Sequence, residues 1–274
     1  MTAININSDD PMSDQKAEQI SELPSELFSE QLMERQPDLQ PERRKVWPFR
    51  LVAILLVVSM IFFLFAGILH LLGLPPMGLL FESGRLTRDA TVRTWTESVV
   101  AISADERRGT GFVISPGQIV VTNQHIIEDA DSVTVSFGAG KSETAISWDF
   151  NEEIDLVLIA VSEACNNGLV LETGKPPEPG DILTMIGNPL GFFRIVSQVE
   201  FIGIAHTGGW NEPLFAIRGA VYRGNSGSPI INAEGKVVGV LFATVASSTQ
   251  EEGIIGLVIP AATILSYIDT LDAD

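Results

Sequence analysis

The segment GNSGSP at Gly224–Pro229 holds a serine, Ser226, between two glycines. Glycines at this density allow a tight turn that projects Oγ and aims neighbouring backbone N–H groups at one point. That is what a nucleophile beside an oxyanion-binding site requires. G-x-S-x-G also fits the nucleophile elbow of strand-turn-helix hydrolases, as well as an ordinary Gly/Ser hairpin turn. Here the apolar Ile230-Ile231 and then KVVGVLF follow it, a strand pattern and not a helix. A serine hydroxyl needs a neutral imidazole to take its proton. The imidazole in turn needs a carboxylate to hold its tautomer and stabilise its cation. His125 in VVTNQHII directly follows an apolar run, at the start of a short predicted helix, and Asp155 opens DLVLIAV. His206 in GIAHTGG is the competing base and reads as a turn histidine. Asp149, Glu152 and Glu153 read as a solvated loop before Asp155. Cys165, with no histidine near it in sequence, reads as a buried or loop thiol.

These residues need a scaffold, and the pattern from about residue 97 onward is one of short β-branched runs. They cover 98–103, 109–115, 118–123, 132–137, 155–161, 182–187, 214–219, 236–242 and 253–259. Ser115-Pro116-Gly117, Gly138-Ala139-Gly140, Pro179-Gly180 and Glu234-Gly235 mark turns between them. Many short strands at short spacing predict a sandwich or barrels, not a parallel βαβ sheet. PAATILSYIDTLDAD predicts one closing helix, with Pro260 at or near its start.

Five motifs together resemble the trypsin-like peptidase domain of the HtrA/Deg type: GTGFVIS, VVTNQHI, DLVLIAV, IGNPLG and GNSGSPI, the last followed by GKVVGV. The chain is similar, less closely, to bacterial glutamyl endopeptidases, which share the GNSGSP form. The resemblance covers about residues 97–270 and implies an all-β, chymotrypsin-like fold: two six-stranded antiparallel β-barrels with a C-terminal helix. It implies His125 as general base, Asp155 as orienting carboxylate and Ser226 as nucleophile, with the N–H groups of Gly224 and Ser226 as the oxyanion hole. Ser228 then reads as structural. Tyr222 and Arg223, with Phe242, Ala243 and Thr244, should shape the substrate pocket. No Asp-lined pocket is announced there, so cleavage after Lys or Arg is disfavoured, and the family implies a preference for small aliphatic residues. HtrA/Deg enzymes mostly carry PDZ domains after the protease, and this chain is expected to lack one.

Ahead of that domain, residues 51–74 form 24 positions without Asp, Glu, Lys or Arg. That exceeds the roughly 20 needed to cross a bilayer as a helix. Trp47 and Phe49 mark its entrance and Pro75-Pro76 its far side. His70, near the outer end, reads as a snorkelling or helix-packed side chain. About 50 polar residues precede the run and no small-x-small cleavage site follows, so it reads as a retained signal anchor and not a cleaved signal peptide. Arg35, Arg43, Arg44, Lys45 and Arg50 flank it on the N-terminal side, against Arg85, Arg88 and Arg93 beyond it. The positive-inside rule then predicts a single-pass inner-membrane protein. Residues 1–50 would be a disordered, acidic cytoplasmic tail, 51–74 the span, 75–96 a linker and 97–274 an extracytoplasmic protease domain. The formal net charge of −18 argues against a nucleic-acid binder. One cysteine and three histidines argue against a disulfide framework and a metal centre. No phosphate-binding glycine motif is present, and no cofactor is expected. The predicted function is a serine endopeptidase with protein or peptide substrates. An inactive binding or sensor module on the same fold is the alternative.

Overall fold

A computed structural model describes residues 47–71, 76–115, 118–162, 168–207, 210, 212–246 and 254–272. Residues 1–46 of the acidic tail expected over 1–50, and the thiol of Cys165, lie outside them, and Trp47–Arg50 of that tail are helical. Helix α1 (Trp47–Leu71) starts four residues before the predicted span and ends three before its predicted end. Its stretch Trp47–Phe65 has a mean hydropathy of 2.5 and is long and apolar enough to cross a membrane. Leu55, Phe63 and Leu64 are among its exposed large side chains. A helix that is apolar all round has no polar face to offer water.

The remainder is built on two sheets. Strands β1 (Val99–Ala104), β2 (Arg107–Ile114), β3 (Ile119–Thr122), β4 (Val133–Gly138), β5 (Lys141–Thr144), β6 (Ser147–Asn151) and β7 (Leu156–Ala160) run in the order β5-β4-β1-β2-β3-β7-β6. β5 pairs with β4 and β6 with β7, and only Ala145-Ile146 separates them. The pair is one bent strand that brings the barrel's two ends together, which makes six staves. The short α4 (Gln124–Ile127) follows β3. In the second sheet β9 (Ile182–Gly187), β10 (Ile195–Ala205), β11 (Leu214–Gly219), β14 (Ile254–Pro260), β13 (Lys236–Ala246) and β12 (Pro229–Ile231) close on themselves. There β12 pairs with both β9 and β13, and β8 (Val170–Leu171) adds in parallel to β13. Helix α5 (Ala261–Asp272) follows β14 as predicted.

Burial explains which strands the sequence announced. Alternate residues of β2 enter different cores: Phe112 and Ile114 join a cluster containing Ile186, Leu214, Val237 and Ile264 of the second half, while Val113 packs with Ile102, Val120 and Ile159 inside the first barrel. A strand buried on both faces reads as a continuous apolar run, as β3, β7 and the end of β2 do. The polar strands β5 and β6 and the long β10 were not anticipated. β10 interleaves Ser197, Gln198 and Glu200 with its apolar residues and is broken by a bulge at Phe201/Gly203.

The stretch expected to be a linker is largely helical. It forms α2 (Met77–Leu86) and α3 (Ala90–Glu97), the latter capped by the Asp89 carboxylate accepting from Thr91 N–H at 2.8 Å. Helix α2 covers a strand edge that would otherwise lie open. The Ser83 hydroxyl accepts the Val196 N–H at 3.0 Å and Glu82 accepts the Gln198 N–H at 3.1 Å, where β10 extends past its pairing with β11. Backbone donors of an edge strand need such partners. Its short, glycine-containing sequence between Pro76 and Thr87 hid this role, which exists only opposite β10.

Phe112 has no exposed surface and ties the two barrels together. Phe112→Ala should lower stability by about 3–5 kcal/mol, read as a drop in the midpoint of chemical denaturation.

Candidate active site

β3 ends in Thr122, and α4 then turns His125 toward Asp155. The Asp155 carboxylate accepts twice from that one residue: Oδ1 from the His125 backbone N–H at 2.9 Å, and Oδ2 opposite ring Nδ1 at 2.7 Å. A carboxylate only accepts, so Nδ1 carries the proton and Nε2 is left as the basic nitrogen. Asp155 itself sits in the left-handed region at φ 46°, between a 3₁₀ turn (Glu152–Ile154) and β7. Its carbonyl is pinned by Gln124 N–H at 3.3 Å and Asn123 Nδ2 at 3.1 Å. The Asp155 side chain is 12% exposed and that of His125 43%. The carboxylate is therefore shielded while the imidazole reaches solvent. Arg107, which the sequence reading overlooked, donates Nη1 to the carbonyls of His125 at 3.0 Å and Glu128 at 2.9 Å, clamping the end of α4.

The serine comes from the other barrel, in the turn before β12. Its glycines are required by space as well as by φ. A Cβ on Gly224 (φ +96°) would stand 2.6 Å from the Asn188 carbonyl oxygen, and one on Gly227 (φ +84°) 1.8 Å from that of Thr110. Among the described residues the N–H groups of Gly224 and Ser226 donate to no backbone carbonyl, whereas Gly227 and Ser228 donate to Leu241 and Asn225. Two free donors thus flank the Ser226 side chain.

Thr110 on β2 holds this turn against the first barrel. Its N–H donates to the Ser226 carbonyl at 2.8 Å, and its hydroxyl donates to the Gly224 carbonyl at 2.8 Å while accepting the Asn188 N–H at 2.9 Å. Its own carbonyl accepts from the Thr122 hydroxyl at 2.7 Å, three residues ahead of His125. Asn188 also reaches Val100 O with Nδ2 at 2.8 Å, and Arg194 spans from the Asn188 side chain to the carbonyls of Glu97, Val99 and Phe137. IGNPLG is therefore a bolt between the barrels.

His125 and Ser226 line one cleft of about 860 Å³, together with Gly224, Tyr222, Arg223, Ala243 and Thr244. One of the expected residues departs from expectation, and His206 keeps to its reading as a turn histidine. Phe242 does not line the cleft: it is the extra residue of a bulge in β13 between Leu241 and Ala243, and its ring stacks on Trp210 at 4.7 Å. The competing base His206 is exposed and does not line the cleft either. Val221, Leu241 and Ile254 give the pocket its apolar wall. Glu106 is the one acid among the residues that line the cleft.

The trypsin-like peptidase domain family matches residues 109–240. Residues 109–240 are a trypsin-like peptidase domain. The chain carrying it is 33% identical over 177 residues to a probable periplasmic serine endoprotease, DegP-like, of Chlamydia muridarum, and 34% over 166 residues to its namesake in Bartonella henselae. These alignments take in 62% and 60% of this chain but only 35% and 33% of those proteins, so the chain spans about a third of their length. Among solved structures, the Rv3671c protease of M. tuberculosis in its active form superposes with a TM-score of 0.57 at 28% identity, covering 66% of this chain and 83% of that one. A serine endoprotease from Yersinia pestis superposes at 0.56 with 26% identity, over 67% and 66%.

In this peptidase domain Thr110→Val keeps the side chain's shape and strips the Gly224 carbonyl and the Asn188 N–H of a buried partner. A loss of about 1–3 kcal/mol is expected in denaturant unfolding, with Thr110→Ser restoring most of it.

Proposed function

We propose that the chain is a serine endopeptidase of the HtrA/Deg type, anchored in the inner membrane by α1 and acting on proteins or peptides outside the cytoplasm. One observation carries the catalytic part. The Asp155 carboxylate grips His125 by ring and backbone, in the same cleft as a serine flanked by two free N–H donors. In this reading His125 Nε2 takes the Ser226 proton as Oγ adds to the substrate carbonyl. The N–H groups of Gly224 and Ser226 hold the oxygen as it becomes an anion. The imidazolium then gives its proton to the leaving amine, which departs and leaves the acyl group on Oγ. Water, deprotonated by the same imidazole, adds to the acyl carbonyl and releases the acid, and the proton returns to Ser226. Asp155 stabilises the cation without itself becoming protonated.

The envelope assignment is supported by the span-length apolar helix, by the basic residues crowding its N-terminal side, and by the DegP-like relatives described as periplasmic. The pocket walled by Val221, Leu241, Ala243 and Ile254 supports an apolar side chain at the residue whose carbonyl is attacked.

Labelling with a fluorophosphonate tests the reading directly. Ser226 is expected to take the label, and both Ser226→Ala and His125→Ala to lose it together with peptide hydrolysis. An unlabelled wild-type chain would identify a binding module instead. Asp155→Asn should lower turnover by about 10⁴, as loss of the orienting carboxylate does in the serine-protease template. Asp149→Asn, an exposed position on β6, should change little; equal losses at both positions would displace Asp155 from its role. In intact spheroplasts, added protease is expected to reach epitopes after residue 75 and not those before residue 45. The opposite protection pattern would reverse the topology.

A further inference from the structure

The cleft carries more positive charge than catalysis requires, in a chain whose formal net charge is −18. Arg107, Arg108 and Arg223 all line it, against a single acid, Glu106. Arg107 is occupied by Glu128 and the end of α4. Arg108 and Arg223 are exposed, and neither guanidinium makes an ion pair or a hydrogen bond among the described residues. Both flank the serine closely. Arg223 is next to Gly224, and Arg108 lies two residues before Thr110, whose N–H holds the Ser226 carbonyl. A guanidinium left without a structural partner, on a surface dominated by acids, is available to a ligand carboxylate, for which its planar fork is shaped.

We propose that Arg108 and Arg223 form a subsite for an acidic side chain of the substrate, a few residues from the scissile bond on its leaving-group side. Val221, Leu241, Ala243 and Ile254 of the same cleft suit an apolar side chain at the residue whose carbonyl is attacked, which leaves the arginines for a neighbouring residue of the substrate. The leaving-group side follows from the proposed chemistry. His125 protonates the leaving amine, so that half of the substrate passes along the first barrel, where His125 and Arg108 stand. Overall acidity repels such substrates at long range, but salt screens this repulsion over about 10 Å at 0.1 M, and the local pair is met at contact.

The inference rests on the protease reading, and one experiment separates their failures. The full-length chain, in detergent micelles, digests a tryptic peptide library, and the cut sites are read by mass spectrometry. Asp and Glu should be enriched about three- to tenfold among the first residues after the cut, as expected for two exposed ion pairs. The enrichment should shrink at high salt and vanish in the Arg108→Gln/Arg223→Gln double variant. Cutting without acidic enrichment, or enrichment that survives in that variant, overturns the subsite and leaves the protease standing. A chain that cuts nothing and takes no fluorophosphonate label overturns both.

Discussion

The proposed base and nucleophile come from different barrels, so their relation depends on how the barrels are joined. The joint is a short set of buried hydrogen bonds centred on Thr110, whose N–H and hydroxyl fix the Ser226 and Gly224 carbonyls and whose carbonyl is tied to Thr122. Around it, Asn188 and Arg194 fasten the second barrel to β1, and the cluster shared by Phe112, Leu214 and Ile264 fills the space behind. Polar contacts set the register and apolar burial supplies the stabilisation. Buried polar groups that pair across the joint favour one arrangement over its neighbours.

The same constraint accounts for the glycines. At Gly224 and Gly227 a side chain would meet the carbonyls of Asn188 and Thr110, so the turn can lie against the other barrel only when those positions are bare. The close approach leaves the Gly224 and Ser226 N–H groups unspent. Donors fixed in advance by a rigid turn need no reorganisation when a charge develops beside them.

The elements outside the barrels serve the same frame. Helix α2 satisfies donors of β10 through Ser83 and Glu82, and Trp95 of α3 packs against Gly235 at the turn into β13. What looked like a spacer between the apolar helix and the peptidase domain is part of the domain's edge. The cleft's arginines divide in the same way. Arg107 belongs to the scaffold, and Arg108 and Arg223 are free to meet substrate.

Local chemistry decided most of what could be read without the structure. The apolar helix, the double-buried strands, the triad candidates and the glycine turn each announce themselves over a few consecutive residues, because φ, hydropathy and side-chain type are local properties. Two barrels and a closing helix followed from those runs and from the family resemblance. The polar strands β5, β6 and β10, the helices α2 and α3, and the packing of Phe242 on Trp210 at a bulge were decided by partners distant in sequence. So were the hub at Thr110 and the split between a bound Arg107 and a free Arg108. Neighbours in sequence and identical in type, those two arginines differ only because folding brings the carbonyls of α4 within reach of one of them.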